Sequence, residues 1–174
     1  MAIKPERITT ERLVLKALEE EDKAALLDMA EDGQIKKTYM MPDFQDQAQK
    51  DAFFARLRAL STQETRFVYG IYRDGALIGF LNDCEMDGTH AELGYFVSPA
   101  HWNRGYAAEA LRAAIEALFQ MGYESVTAGY FEENPASRRV MEKCGMRPLQ
   151  KESVIDYRGQ DHRCLYREIR AGQN

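Results

Sequence analysis

AELGYFVSPAHWNRGYAAEA, residues 91–110, runs a strand pattern, a glycine-containing turn and the start of a strong helix end to end. His90 to Val97 is β-rich, and Ser98 to Arg104 reads as loop. Gly105 to Met121 then carries Ala108, Leu111, Ile115 and Leu118 on one helical stripe, with Gly122 as its C-cap. The first N–H groups of such a helix have no partner within it and, with the helix dipole, favour an anion such as a pyrophosphate. Gly105 and the small Ala107 and Ala108 permit close backbone approach, and Arg104 adds a cation. Taken alone, a glycine before a helix also fits simple chain reversal.

Working outward, Glu124 to Phe131 is a second strand, so the unit strand–loop–helix–strand predicts a right-handed crossover between parallel neighbours. Upstream, Arg66 to Tyr72 and Ala76 to Leu81 flank Arg73-Asp74-Gly75, a hairpin signal. A further turn at Asp87-Gly88-Thr89 continues them into His90 as a meander. Arg12 to Leu18 reads as an opening strand. The acidic run Glu19 to Asp22 leads into a helix with Leu26, Leu27 and Met29 inward and Gly33 as its stop. Ile35 to Phe44 reads as irregular, and a second helix spans about Asp46 to Leu60, with Phe53, Leu57 and Leu60 on one face. Asn134-Pro135 opens a helix ending near Cys144-Gly145. Met146 to Tyr157 and His162 to Ile169 form a closing hairpin through Arg158-Gly159-Gln160. The expectation is a mixed α/β fold, with a mostly antiparallel sheet of about seven strands and about four helices.

The 174 residues, 45% apolar and 29% charged, suit one globular domain over residues 1–174. Lys plus Arg number 23 and Asp plus Glu 28, and the resulting net charge of −5 opposes a broad polyanion-binding surface, so nucleic acid is not an expected partner. No apolar run is long enough to span a bilayer and the opening MAIKPERITTERL lacks a signal-peptide core, which predicts a cytoplasmic protein without a membrane partner. Cys84, Cys144 and Cys164 are scattered, as are His90, His101 and His162, so neither a disulfide framework nor a metal site is expected. No Gly-Lys-Ser/Thr follows the turn and no three-glycine fingerprint follows the first strand, which disfavours kinase and dehydrogenase chemistry.

Three runs together resemble the GNAT superfamily of acyl-CoA-dependent N-acetyltransferases. Trp102-Asn103-Arg104-Gly105-Tyr106-Ala107 is similar to its diphosphate signature, Gln/Arg-x-x-Gly-x-Gly/Ala, departing at the first position. Asn134 to Met146 is similar to its second signature, an asparagine opening a helix that ends in glycine plus an apolar residue. Thr10-Glu11-Arg12-Leu13-Val14-Leu15 resembles the opening strand of the subgroup that includes ribosomal-protein N-terminal acetyltransferases. The resemblance covers nearly the whole chain and implies a GNAT-like fold. It also implies transfer of acetyl from acetyl-CoA to a primary amine, with a protein or peptide N-terminus as first acceptor. Alternatives are a small-molecule amine such as a polyamine or aminoglycoside, or a non-catalytic acyl-CoA-binding module. Acetyl-CoA and the amine are the expected partners of a monomer or homodimer that uses no metal.

The resemblance also assigns residues. Glu92, near the start of the strand before the loop, takes the general-base position, against a plain reading as a surface glutamate; a bulge at Gly94 leaves its direction open. Phe96 and Val97 hold positions whose backbone pairs with the pantetheine arm, much as an added strand does. Arg104, Gly105, Tyr106, Ala107 and Ala108 fall on the diphosphate loop. Asn134 matches a position that bonds the pantetheine arm and also suits an N-cap. Ser137 is the candidate donor to the CoA sulfur. The family's usual tyrosine acid, four positions later, is here Met141, which has no proton to give. Arg138 is assigned to the phosphate or adenine end, although Arg138 and Arg139 also fit a solvated face.

Overall fold

In the computed structural model, which describes residues 2–173, one eight-stranded sheet runs through the molecule in the order β1-β2-β3-β4-β5-β6-β8-β7. The strands are β1 (Arg7–Thr9), β2 (Val14–Lys16), β3 (Tyr69–Arg73), β4 (Ala76–Asp87), β5 (His90–Val97), β6 (Ser125–Phe131), β7 (Arg147–Tyr157) and β8 (Gln160–Arg170). The helices are α1 (Lys23–Glu31), α2 (Gly33–Lys36), α3 (Gln47–Ser61), α4 (Tyr106–Gln120) and α5 (Pro135–Lys143). Every neighbouring pair is antiparallel except β5–β6, which is parallel and connected through α4. The mixed, mostly antiparallel sheet matches the sequence expectation. The additional strand is the three-residue β1, too short to show an alternation of its own.

Turn chemistry sets the hairpins. Asp74 and Gly75 both hold positive φ, +50° and +80°, the mirror-image turn whose twist matches that of the strands it joins. Gly33 does not stop α1 but opens α2. Asp32 extends between the two helices and its carboxylate accepts from the amides of Gln34 and Ile35. Capping by a carboxylate therefore turns part of the expected irregular segment into a helical turn. In α3, Phe54 rather than Phe53 is the most deeply buried aromatic, while Phe53, Leu57 and Leu60 pack partly buried at its margin.

The sheet carries a core on each face. On one, Leu111, Ala114, Ile115 and Leu118 of α4, with Met141 of α5, pack against Ala91, Leu93 and Val97. On the other, Leu26 and Ala30 of α1, Ile35 of α2 and Phe54 of α3 pack against Phe80 and Phe96. β5 thus alternates between the two faces without interruption. The expected bulge at Gly94 lies instead on β4: Asp83 pairs Leu93 and Glu85 pairs Glu92, leaving Cys84 as the extra residue. Gly94 has no side chain for a different reason, since a Cβ there would stand 3.1 Å from Cys84 Sγ and 3.2 Å from Asn82 Oδ1.

Candidate active site

β5 and β6 pair only from His90↔Ser125 to Leu93↔Ala128, although the strands continue to Val97 and Phe131. Past Leu93 they splay apart. The peptide groups of Gly94 to Val97 that face β6 therefore lack a strand partner, an arrangement that accepts an extended ligand as an added strand. Trp102 fixes the end of this segment, its indole Nε1 donating to Val97 O at 2.6 Å.

A cleft of about 420 Å³ opens at the splay. Tyr95, Phe96 and Val97 form its strand wall, and Gly105 to Ala108, at the start of α4, form a second wall. Gly105 is left-handed, at φ +81° and ψ +7°, a conformation that costs a residue with a Cβ about 1–2 kcal/mol. It turns the chain so that α4 starts at the cleft. Glu109 N is the amide that bonds back to Gly105 O, at 3.0 Å, so those of Tyr106, Ala107 and Ala108 precede the helical ladder.

α5 provides the third wall, with Asn134, Ser137 and Arg139. Asn134 is 9% exposed and its Oδ1 accepts from Ser137 N at 3.2 Å, capping the helix and holding Ser137 one turn in. Ser137 Oγ lies 3.1 Å from the hydroxyl of Tyr95. Burial, the largest influence on Tyr95, pushes its phenol well above the usual tyrosine value, so it stays protonated and able to donate. Gln34, Ile35, Lys37 and Thr38 from α2 and its C-terminal end complete the cleft on the other sheet face. Lys37, Arg139 and Lys143 line it, and no Asp or Glu does, in a chain whose net charge is −5. The cleft therefore carries a local positive surplus in a molecule whose net charge is negative.

The structure thus brings Phe96, Val97, Gly105, Tyr106, Ala107, Ala108, Asn134 and Ser137 around one space. Three other sequence candidates stand outside its lining. Arg104 contributes its carbonyl, which accepts from Arg12 Nη1 at 2.9 Å. Arg138 lies along the helix, 3.7 Å from Glu142, and Arg139 takes the cleft-facing position instead, because successive helical residues point about 100° apart. Glu92 faces away from the α4 side, 3.6 Å from Lys151 Nζ, with its side chain 17% exposed. Met141 is fully buried in the core, so the usual tyrosine position contributes packing only. Sequence reading missed Tyr95, Lys37 and Lys143. Tyr95 was open to detection: it shares its face with the core residues Leu93 and Val97, and a tyrosine placed inward needs a partner for its hydroxyl. His101, read as loop, lines the cleft with a buried Nδ1. Among the described residues there is no group of three or more His, Cys, Asp or Glu placed to hold a metal, and no helix long and apolar enough to cross a membrane.

A splayed parallel pair beside a helix N-terminus and a cationic cleft suits an extended, anionic ligand. The acetyltransferase (GNAT) domain family matches residues 12–147, so the chain belongs to this family and is a GNAT N-acetyltransferase that uses acetyl-CoA. It is 31% identical over 142 residues to the uncharacterized N-acetyltransferase YnaD of Bacillus subtilis (strain 168), covering 80% of this chain and 82% of that protein. Its fold is similar to that of RimL, a ribosomal L7/L12 alpha-N-protein acetyltransferase, with TM-score 0.80 and 16% identity, covering 97% of this chain and 94% of that one. It is likewise similar to the microcin C7 self immunity acetyltransferase MccE, solved with acetyl-CoA and AMP: TM-score 0.80, 14% identity, 92% of this chain and 93% of that one.

Proposed function

We propose that this enzyme acetylates the amino terminus of a protein or peptide, with acetyl-CoA held in the splay cleft. The observation that carries the donor side is the cleft itself: three cations, no carboxylate, and an unpaired helix N-terminus beside the unpartnered edge of β5. The diphosphate lies against the amides of Tyr106, Ala107 and Ala108. The pantetheine arm runs along the unpartnered edge of β5 beyond Leu93 and meets Asn134, and Arg139 and Lys143 serve the nucleotide phosphates. The likeness to RimL in fold, together with the Thr10 to Leu15 run, favours an N-terminal acceptor over a small amine.

In the reaction the amine nitrogen attacks the thioester carbonyl, a C–N bond forms, and the C–S bond breaks. Ser137 protonates the departing sulfur, with the Tyr95 hydroxyl donating to Ser137 Oγ so that the serine proton is directed into the cleft. An N-terminal amine, with a reference pKa about 7.7–8.0, needs a weaker base than a lysine near 10.4. Glu92, on the sheet face occupied by α1 to α3, takes the amine proton through water. That proton returns to Ser137 through solvent.

A panel of peptides with free amino termini, polyamines and aminoglycosides, assayed by thiol release from acetyl-CoA, tests the reading. Turnover is expected with peptide termini and not with Nα-blocked copies. Turnover confined to small amines overturns the acceptor assignment while leaving the donor site standing.

A further inference from the structure

The run Thr10 to Leu15, which has no part in the cleft wall, reaches the donor loop through a single guanidinium. The turn between β1 and β2 lays Thr10 and Arg12 against the first turns of α4, where Glu109 is 15% exposed. Its Oε1 accepts from Thr10 Oγ1 at 2.6 Å and from the Arg12 amide at 2.8 Å. Its Oε2 accepts from Arg12 Nε at 2.7 Å, with Nη2 also 2.7 Å away. The third guanidinium nitrogen, Nη1, donates to Arg104 O at 2.9 Å, the carbonyl immediately ahead of Gly105. The same guanidinium lies over the Tyr106 ring, 4.5 Å from its centroid. One side chain therefore ties together both sides of the left-handed turn and the carboxylate four residues beyond it.

Electrostatics gives the contact a purpose. A carboxylate one turn inside α4 opposes an anion at that helix's N-terminus, unless a cation cancels it. Burial, the largest influence on Glu109, pushes its carboxyl up, but the bonds from Thr10 and Arg12 outweigh it and hold the group below the usual glutamate value. The charge is present and Arg12 is its counter-ion.

We propose that Arg12 is a positioning residue for the donor diphosphate, acting through Arg104 O and Glu109 to hold the Gly105 turn and to neutralise the helix entry. The proposal rests on the splay cleft being the donor site. A lysine has the charge but not the fork that reaches a carboxylate and a carbonyl at once. A role as a simple point charge and a role as a positioning fork are therefore separable.

The test compares CoA, by calorimetry, with pantetheine, which lacks the diphosphate and nucleotide, by NMR titration. It uses wild type, Arg12→Lys, Arg12→Gln and the pair Arg12→Gln/Glu109→Gln, each checked for folding by circular dichroism. CoA affinity is expected to fall about tenfold or more in both single variants. Pantetheine affinity should hold, and the double variant should recover part of the loss because the uncompensated carboxylate is gone. Undiminished CoA affinity in a folded Arg12→Gln, full retention in Arg12→Lys, or equal losses for the two ligands each overturn the positioning role. A wild type that binds pantetheine but gains nothing from the CoA phosphates overturns the reading of the cleft as well.

Discussion

Replacing Gly105 by alanine isolates the left-handed turn from every other feature of the donor loop. The added Cβ has room, because the nearest heavy atom is Arg12 Nη2 at 3.4 Å. The cost is therefore conformational, about 1–2 kcal/mol for holding φ near +81°. That cost has two places to go. If the variant keeps the turn when empty, urea denaturation shows the protein about 1–2 kcal/mol less stable and CoA binds as before. If the empty loop relaxes to negative φ, stability stays near wild type. CoA must then restore the turn, which weakens its Kd by about 5–30-fold. In both cases the CoA-bound protein loses the same total, because the bound state requires the turn. Denaturation with and without saturating CoA, combined with calorimetry, measures both parts. A variant with unchanged stability and unchanged Kd refutes the argument that the αL turn presents the helix amides to the donor.

Ser137→Ala should leave CoA affinity close to wild type while kcat falls by about 10²–10⁴-fold, and Tyr95→Phe should give a smaller loss of about tenfold, read from thiol release. Equal kcat values for Ser137→Ala and wild type would remove the serine from the chemistry. Glu92→Gln should lower turnover of peptide termini by about 10²–10⁴-fold, leaving a rate that climbs towards about pH 8 as the amino terminus deprotonates by itself; unchanged turnover makes Glu92 a strand residue paired with Lys151. Glu109 titrates below its usual value in the folded protein, so the stability it contributes is complete above about 4.5 and is lost as pH falls through the lower folded value. Acid titration of Glu109→Gln, followed by circular dichroism, should lack that slope.

The elements that could be read along the chain are those whose signal is local. The period of α4 follows from Leu111, Ile115 and Leu118, the hairpin from Asp74-Gly75, and the α5 start from Asn134-Pro135; each needs only neighbours in sequence. The Gly105 turn belongs here too, since a strand, a glycine and a helix in succession already leave the first helical amides without partners. Where two local signals competed, reading along the chain failed. Gly33 carries the mark of a stop, yet Asp32 caps a new turn beginning at that glycine. Gly94 carries the mark of a bulge, yet the extra residue is Cys84 on the neighbouring strand, because register belongs to a pair of strands and not to either one.

The sequence by itself determined the mixed α/β architecture, the strand–glycine turn–helix unit around Gly105 and the identity of Asn134 and Ser137 as residues worth placing. Tertiary structure decided what faces what. It set Tyr95 against Ser137, turned Arg139 into the cleft and Arg138 along the helix, and put Glu92 beside Lys151. It also gathered Lys37 and Lys143 into a cationic cleft from the C-terminal ends of α2 and α5, and brought Arg12 across 97 positions to Glu109. Local periodicity fixes the face from which a side chain leaves its own element. Only the packing of one element on another fixes which distant group it meets.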